Sequence, residues 1–178
     1  MKLEDINNLP VKDIADKNCI LFLWTTPPLF PESLETIKSW GFNYKTFGFV
    51  WVKLNKKQNT PFTGLGYWSR ANTEVCLLAT KGKVKRLGKG VKQLIVTNEE
   101  NVELEEMPDK VIENLPFITC SRIEGHSKKP DIVRDRITEL VGDQPKIELF
   151  AREKIPGWDA LGYDVDGIDI RDSIEKKL

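Results

Sequence analysis

The sequence predicts an α/β layered domain, and three observations predict it. Apolar runs of strand length alternate along the chain with segments whose apolar residues recur at helical spacing. The 178 residues suffice for one domain with a proper core and are too few to expect two. Apolar residues make up 40% of the chain and charged residues 30%, a balance that argues against wholesale disorder. A single domain over residues 1–178 is expected.

Leu3 to Leu9 reads as a short helix that ends before Pro10, because a proline restricts the residue before it and cannot continue the hydrogen-bond ladder. Cys19-Ile20-Leu21-Phe22-Leu23-Trp24 is a continuous apolar run, the pattern of a strand covered on both faces. It stops at Thr25-Thr26-Pro27-Pro28. From Pro31 to Trp40, Leu34, Ile37 and Trp40 fall at helical spacing, with proline and glutamate at the start and Gly41 just past the end. Tyr44 to Lys53 is aromatic and β-branched and predicts a long strand.

A polar loop leads on to Tyr67-Trp68. Thr73 to Thr80 predicts a buried strand and Gln93 to Val96 a short one. Pro130 opens a helix whose Val133, Ile137, Leu140 and Val141 share one face, and Lys146 to Ala151 gives a last strand. No internal repeat is visible, and the acidic stretch at 98–116 reads as an insertion.

Composition narrows the chemistry. No stretch approaches the roughly 20 apolar residues of a membrane helix, and the N-terminus lacks the basic segment and apolar run of a signal peptide, so a cytoplasmic protein is expected. Cys19, Cys76 and Cys120 are widely spaced and read as small buried hydrophobes. With no Cys-x-x-Cys and His126 as the sole histidine, neither a zinc site nor a Ser-His-Asp triad is expected.

The 27 basic and 27 acidic residues cancel, so attraction to nucleic acid must come from patches. Lys81, Lys83, Lys85, Arg86, Lys89 and Lys92 occur without an intervening acid. Two readings stand for this block and the acidic stretch after it: solvated loops of opposite sign, or a basic loop that touches phosphates without reading sequence.

Four segments in one order carry a resemblance. They are Leu21-Phe22-Leu23-Trp24-Thr25; Phe49-Val50-Trp51-Val52-Lys53; Gly64-Leu65-Gly66-Tyr67-Trp68 through Glu74-Val75-Cys76-Leu77-Leu78; and His126-Ser127-Lys128-Lys129-Pro130-Asp131, followed by Ile147 to Arg152 and Trp158. Together they span nearly the whole chain. The chain resembles the MT-A family of adenine methyltransferases, which contains the catalytic subunit of the messenger-RNA N(6)-methyladenosine writer and many phage and bacterial DNA methylases.

The resemblance implies a Rossmann-like methyltransferase sheet with permuted motif order, S-adenosylmethionine as cofactor, and adenine in nucleic acid as substrate, DNA before RNA. It implies that Lys129 meets the cofactor's methionine carboxylate at the start of the Pro130 helix, where free N–H groups and the positive dipole end also favour an anion. Phe150 and Arg152 would line the cofactor pocket beyond a strand's carboxyl end, Arg152 near the ribose. Where the family continues Gly-Asn followed by Glu or Gln, this chain has Gly162-Tyr163-Asp164, so Tyr163 and Asp164 occupy the ribose-side positions. Lys53, Asn55, Arg70 and Glu74 match polar positions near the target-base entrance. Solvent-exposed alternatives stand beside these roles: Lys129 as a solvated residue before a helix, Lys53 as a strand-end lysine, and Arg70 paired with Glu74. Trp68 and Tyr67 could stack on nucleic acid, with buried packing expected for at least one.

The chain contains no Asp-Pro-Pro-Trp. In the family that tetrapeptide supplies the acceptors that hold the adenine amine's protons and the aromatic face for a flipped base. The nearest string, Thr25-Thr26-Pro27-Pro28-Leu29-Phe30, reads instead as a turn that begins the Pro31 helix. No catalytic or metal-binding residue is therefore assigned. An N-terminally truncated methyltransferase domain is expected, through an internal start codon, a split gene, or descent into a non-catalytic subunit that dimerises with an active homologue.

Overall fold

The computed structural model describes residues 1–54, 64–98, 119–121 and 129–178. Two short helices open the chain, α1 (Leu3–Asn7) and α2 (Val11–Ile14), with Pro10 between them. Strand β1 (Cys19–Thr25) ends at a 3₁₀ turn, Pro27–Leu29, which leads directly into α3 (Phe30–Ser39). The Thr-Pro-Pro string is thus a turn at a helix entrance, as its sequence suggests. Gly41 closes the helix at φ +80, a left-handed conformation that a side chain would strain.

Strands β2 (Asn43–Lys53), β3 (Thr73–Lys81), β4 (Leu94–Asn98) and β5 (Thr119–Ser121) follow. After them come α4 (Ile132–Val141), β6 (Ile147–Leu149), β7 (Asp159–Leu161), α5 (Tyr163–Asp166) and α6 (Ile170–Glu175). The order in the main sheet is β1-β3-β2-β4-β5, antiparallel about β3 and parallel from β2 onward. A separate parallel ribbon pairs β6 with β7.

Strand periodicity divides the core. One cluster, containing Ile37, Trp40, Leu77 and Ala79, lies between the main sheet and α1, α2, α3 and α6. The other, containing Phe49, Trp51, Cys76, Ile95, Val133 and Ile137, lies between the sheet and α4. Alternate β3 residues therefore serve opposite layers. Polar ties hold the helices: Trp40 Nε1 donates to Ile6 O at 2.9 Å, and Ser33 Oγ to Thr25 Oγ1 at 2.7 Å. Buried Arg136 on α4 donates to Lys92 O at 2.6 Å and Leu94 O at 2.8 Å, clamping the helix over the start of β4.

The structure departs from the sequence reading at β1. That strand was expected to be covered on both faces, yet residues 19–24 are only half-buried. The reason is positional, because β1 is an edge strand of the sheet as described. The proposed acidic insertion at 98–116 lies almost wholly outside the described residues. Among those described, no helix is long and apolar enough to cross a membrane.

Candidate cofactor and base site

The register of the main sheet builds the first half of the site. Period two places Phe49, Trp51 and Lys53 on one face of β2, and Trp51 is the Cα partner of Glu74 on β3. On the other side of β3, Trp24 pairs with Cys76. Trp24 and Trp51 consequently meet edge to face, with ring centroids 6.2 Å apart. Glu74 projects between them and the start of α4.

Three charges converge there. Glu74 Oε1 accepts a hydrogen bond from Lys53 Nζ, and Oε2 accepts from Lys129 Nζ at 2.5 Å. Both ammonium groups also face indole: Lys53 lies 4.5 Å from the Trp51 centroid, and Lys129 lies 5.7 Å from Trp24 and 5.8 Å from Trp51. Burial alone would push the Glu74 carboxyl up, but the hydrogen bonds from Lys129 and then Lys53 outweigh it and hold the group below the usual carboxylate range. A single anion joins two cations, and each ammonium retains N–H donors for a further acceptor. Nearby Cys76 is no candidate nucleophile, since burial pushes its thiol up.

The second half lies at the end of β6. Phe150 is 47% exposed and adopts φ 58, the one non-glycine residue with positive φ among those described. Such strain at a strand end is a feature of ligand clamps. Two residues on, Arg152 Nε lies 3.9 Å from Asp164 Oδ2 at the start of α5. Arg134 anchors β6 to α4 by bonding Glu148 at 2.9 Å and Asp131 at 2.6 Å. Asp131 stands just before α4, so a carboxylate already complements that helix start, while the first turn is drawn in by Val133 N donating to Pro130 O.

A cavity of about 1260 Å³ joins the two halves and is lined by Trp24, Lys129, Phe150 and Arg152 among others. The structure thus brings Lys53, Glu74 and Lys129 into contact and puts Lys129, Phe150 and Arg152 on one cavity. Tyr163 and Asp164 lie outside its lining, Tyr163 being 71% exposed, and Asp164 connects to the cavity only through Arg152. Arg70 is exposed on the loop before β3, and Glu74 takes Lys53 and Lys129 as partners rather than Arg70. Asn55 and His126 lie outside the described residues. The expectation that Tyr67 or Trp68 would be buried is corrected: they are 93% and 94% exposed and pack edge to face on each other at 5.2 Å.

The sequence reading assigned no role to Trp24 and Trp51, which carry both lysines. The alternation Phe49-x-Trp51-x-Lys53 held the available signal, but the cross-strand partner appears only with the register. As a donor set, the cavity offers an ammonium at one side and an aromatic ring with a guanidinium–carboxylate pair at the other. That set suits a ligand with a carboxylate at one end and a hydroxylated, ring-bearing group at the other.

The MT-A70 family model matches residues 1–164. The chain belongs to the MT-A70 family. Over 167 residues it is 34% identical to the Type II methyltransferase M.MunI of Mycoplasma sp, a match that covers 93% of this chain and 58% of that protein. Over 88 residues it is 36% identical to the N6-adenosine-methyltransferase non-catalytic subunit MTB of Arabidopsis thaliana, covering 47% of this chain and 11% of that subunit. The chain therefore spans little more than half the length of the first of these MT-A70 relatives. Its mixed α/β architecture with a central sheet fits the MT-A70 methyltransferase fold.

Proposed function

We propose that this chain forms the cofactor-holding and base-contacting part of an adenine N(6)-methyltransferase that uses S-adenosylmethionine and acts on DNA. The observation that carries the reading is the junction at Lys129, which bonds Glu74 on the sheet side and lines the cavity that reaches Phe150 and Arg152. The cofactor, when bound, supplies an electrophilic methyl group on sulfonium. Lys129 then holds its carboxylate through the N–H donors that Glu74 leaves available. Phe150 offers a ring face, and Arg152 with Asp164 offers a donor and an acceptor for ribose hydroxyls, beside Tyr163. On the base side, Lys53, Asn55, Arg70 and Glu74 frame the entrance, with Glu74 kept ionised as an acceptor. The permuted order of the family's motifs belongs to the same reading, as does the preference for DNA over RNA, which rests on likeness to M.MunI.

A second reading has its own support: these 178 residues contain no Asp-Pro-Pro-Trp, and nearly half of them match a non-catalytic subunit. In that reading the chain keeps the fold and pairs with an active methyltransferase homologue. Incubating the purified chain with methyl-labelled S-adenosylmethionine and adenine-containing duplex DNA, with matched RNA in parallel, separates the two. Label recovered as N(6)-methyladenine in DNA supports the first. Label in RNA alone overturns the choice of DNA, and no label in either rules out stand-alone catalysis and favours the subunit.

A further inference from the structure

We infer that the cavity between β1 and β6 is a strand-shaped slot that accepts an apolar β-strand supplied from outside residues 1–178, so that the two sheets become one. The lining carries the inference. Residues 19–24 all line the cavity, as do residues 147–150. Successive side chains of a strand point to opposite faces, so an unbroken run can border a space only if that space lies along the strand's edge. Among the described residues, β1 hydrogen-bonds only to β3 and β6 only to β7, which leaves each with an open edge on this cavity.

The cavity also extends to both helical layers. Val133, Ile137 and Val141 of α4 border it from one layer, and Ile6, Val11 and Ile14 of α1 and α2 border it from the other. It therefore occupies the plane of the sheet and opens to the layers above and below. A volume of about 1260 Å³ exceeds the roughly 300–1,000 Å³ of small-molecule pockets. An extended chain fits this shape, because it can satisfy two rows of N–H and C=O groups at once while filling both apolar layers.

Direction follows from the contacts. Trp24 near the end of β1 lies beneath Lys129. Strand β6 runs back along α4, from Lys146 bonded to Asp143 beyond that helix's end to Glu148 bonded to Arg134 in its first turn. Both strands hence run toward Lys129, and an inserted strand can lie parallel to each. Because helices cover both of its faces, its side chains must form a continuous apolar run rather than an alternating one. The described chain has used its own such runs in β1 to β4, and the segments 55–63, 99–118 and 122–128 contain no uninterrupted run of more than two apolar residues. M.MunI, by contrast, has 42% of its length outside the match, the complement of the 58% covered. The occupant is thus an external strand of about the length of β1, and the inference stands whether or not the chain transfers methyl groups.

Amide hydrogen exchange on the full chain tests it, using a synthetic peptide of seven alternating valines and leucines flanked by paired lysines. Cores tolerate apolar exchange of similar volume, so the peptide need not reproduce a natural sequence. The expected result is saturable slowing of exchange at both residues 19–25 and 147–149, about tenfold at peptide concentrations about ten times Kd, with a rise in Tm. The same peptide with proline at its centre should do neither, because it lacks the central N–H. Slowing at only one edge or at neither overturns the inference. So does a chain that sediments as a dimer with its β1 edge already protected, since a second copy would then be the occupant.

Discussion

The two halves of the site are built from different material. Glu74 and Lys53 stand on long central strands, with β3 paired on both sides and its Cys76, Leu77 and Ala79 fully buried. Phe150, Arg152, Tyr163 and Asp164 stand on a three-residue strand, the turn after it and a one-turn helix, and three of the four are about half exposed or more. The sheet half has its charges mutually satisfied before any ligand arrives. The ribbon half presents groups that a ligand could order. Rigid support for the base side and adaptable groups for the cofactor side is the lesson of the contrast, and substitutions can break or sharpen it.

The largest difference should appear in the cores beneath the two halves. Leu77→Ala at the centre of β3 should cost about 4 kcal/mol, whereas Leu149→Ala on half-buried β6 should cost about 1 kcal/mol. Paired urea titrations read both values. Equal losses would mean that the ribbon is as tightly integrated as the sheet.

Next comes the charge cluster. Glu74→Ala leaves two half-buried ammonium groups facing each other across the indoles and should cost about 2 kcal/mol, less than a fully buried pair because both lysines keep contact with water. The pH dependence has a defined sign. The folded-state pKa of Glu74 is lowered, so its contribution is present above the ordinary glutamate value of about 4.3 and is lost as pH falls through the depressed value. The stability gap between the native chain and Glu74→Gln should accordingly narrow below about pH 4.3, as thermal melts across pH 3 to 7 would reveal.

Smaller effects probe the ribbon's tether and the exposed loop. Arg134→Ala removes the link from α4 to Glu148 and should cost about 1.5 kcal/mol while speeding amide exchange in β6 more than in β3. Trp68→Ala should change stability by no more than about 0.5 kcal/mol, because the ring is 94% exposed. If that ring stacks on a base, the same substitution weakens DNA binding by about 1–3 kcal/mol, which fluorescence anisotropy measures.

Much of the fold was legible because long elements carry strong periodicity. Cys19 to Thr25, Asn43 to Lys53, Thr73 to Lys81 and the helix over Pro31 announce themselves through apolar runs or caps. Elements of three to six residues, such as α2, β5, β7, α5 and α6, are too short to show a period. Lys53, Glu74 and Lys129 were individually visible as candidates, but their joining at one carboxylate depends on a register that no local pattern encodes. The misjudged burial of Tyr67 and Trp68 has a physical cause too, since aromatic character speaks for packing only where another element lies close enough to cover the ring.

The central claim is that Lys129 and Arg152 hold S-adenosylmethionine in one cavity. Isothermal titration of the full chain with that cofactor tests it most directly, alongside Lys129→Ala and Arg152→Ala chains shown by thermal melts to be folded. Saturable binding by the native chain, weakened at least about tenfold by either substitution, is the predicted result. No binding by the native chain, or binding that both substitutions leave unchanged, would contradict it.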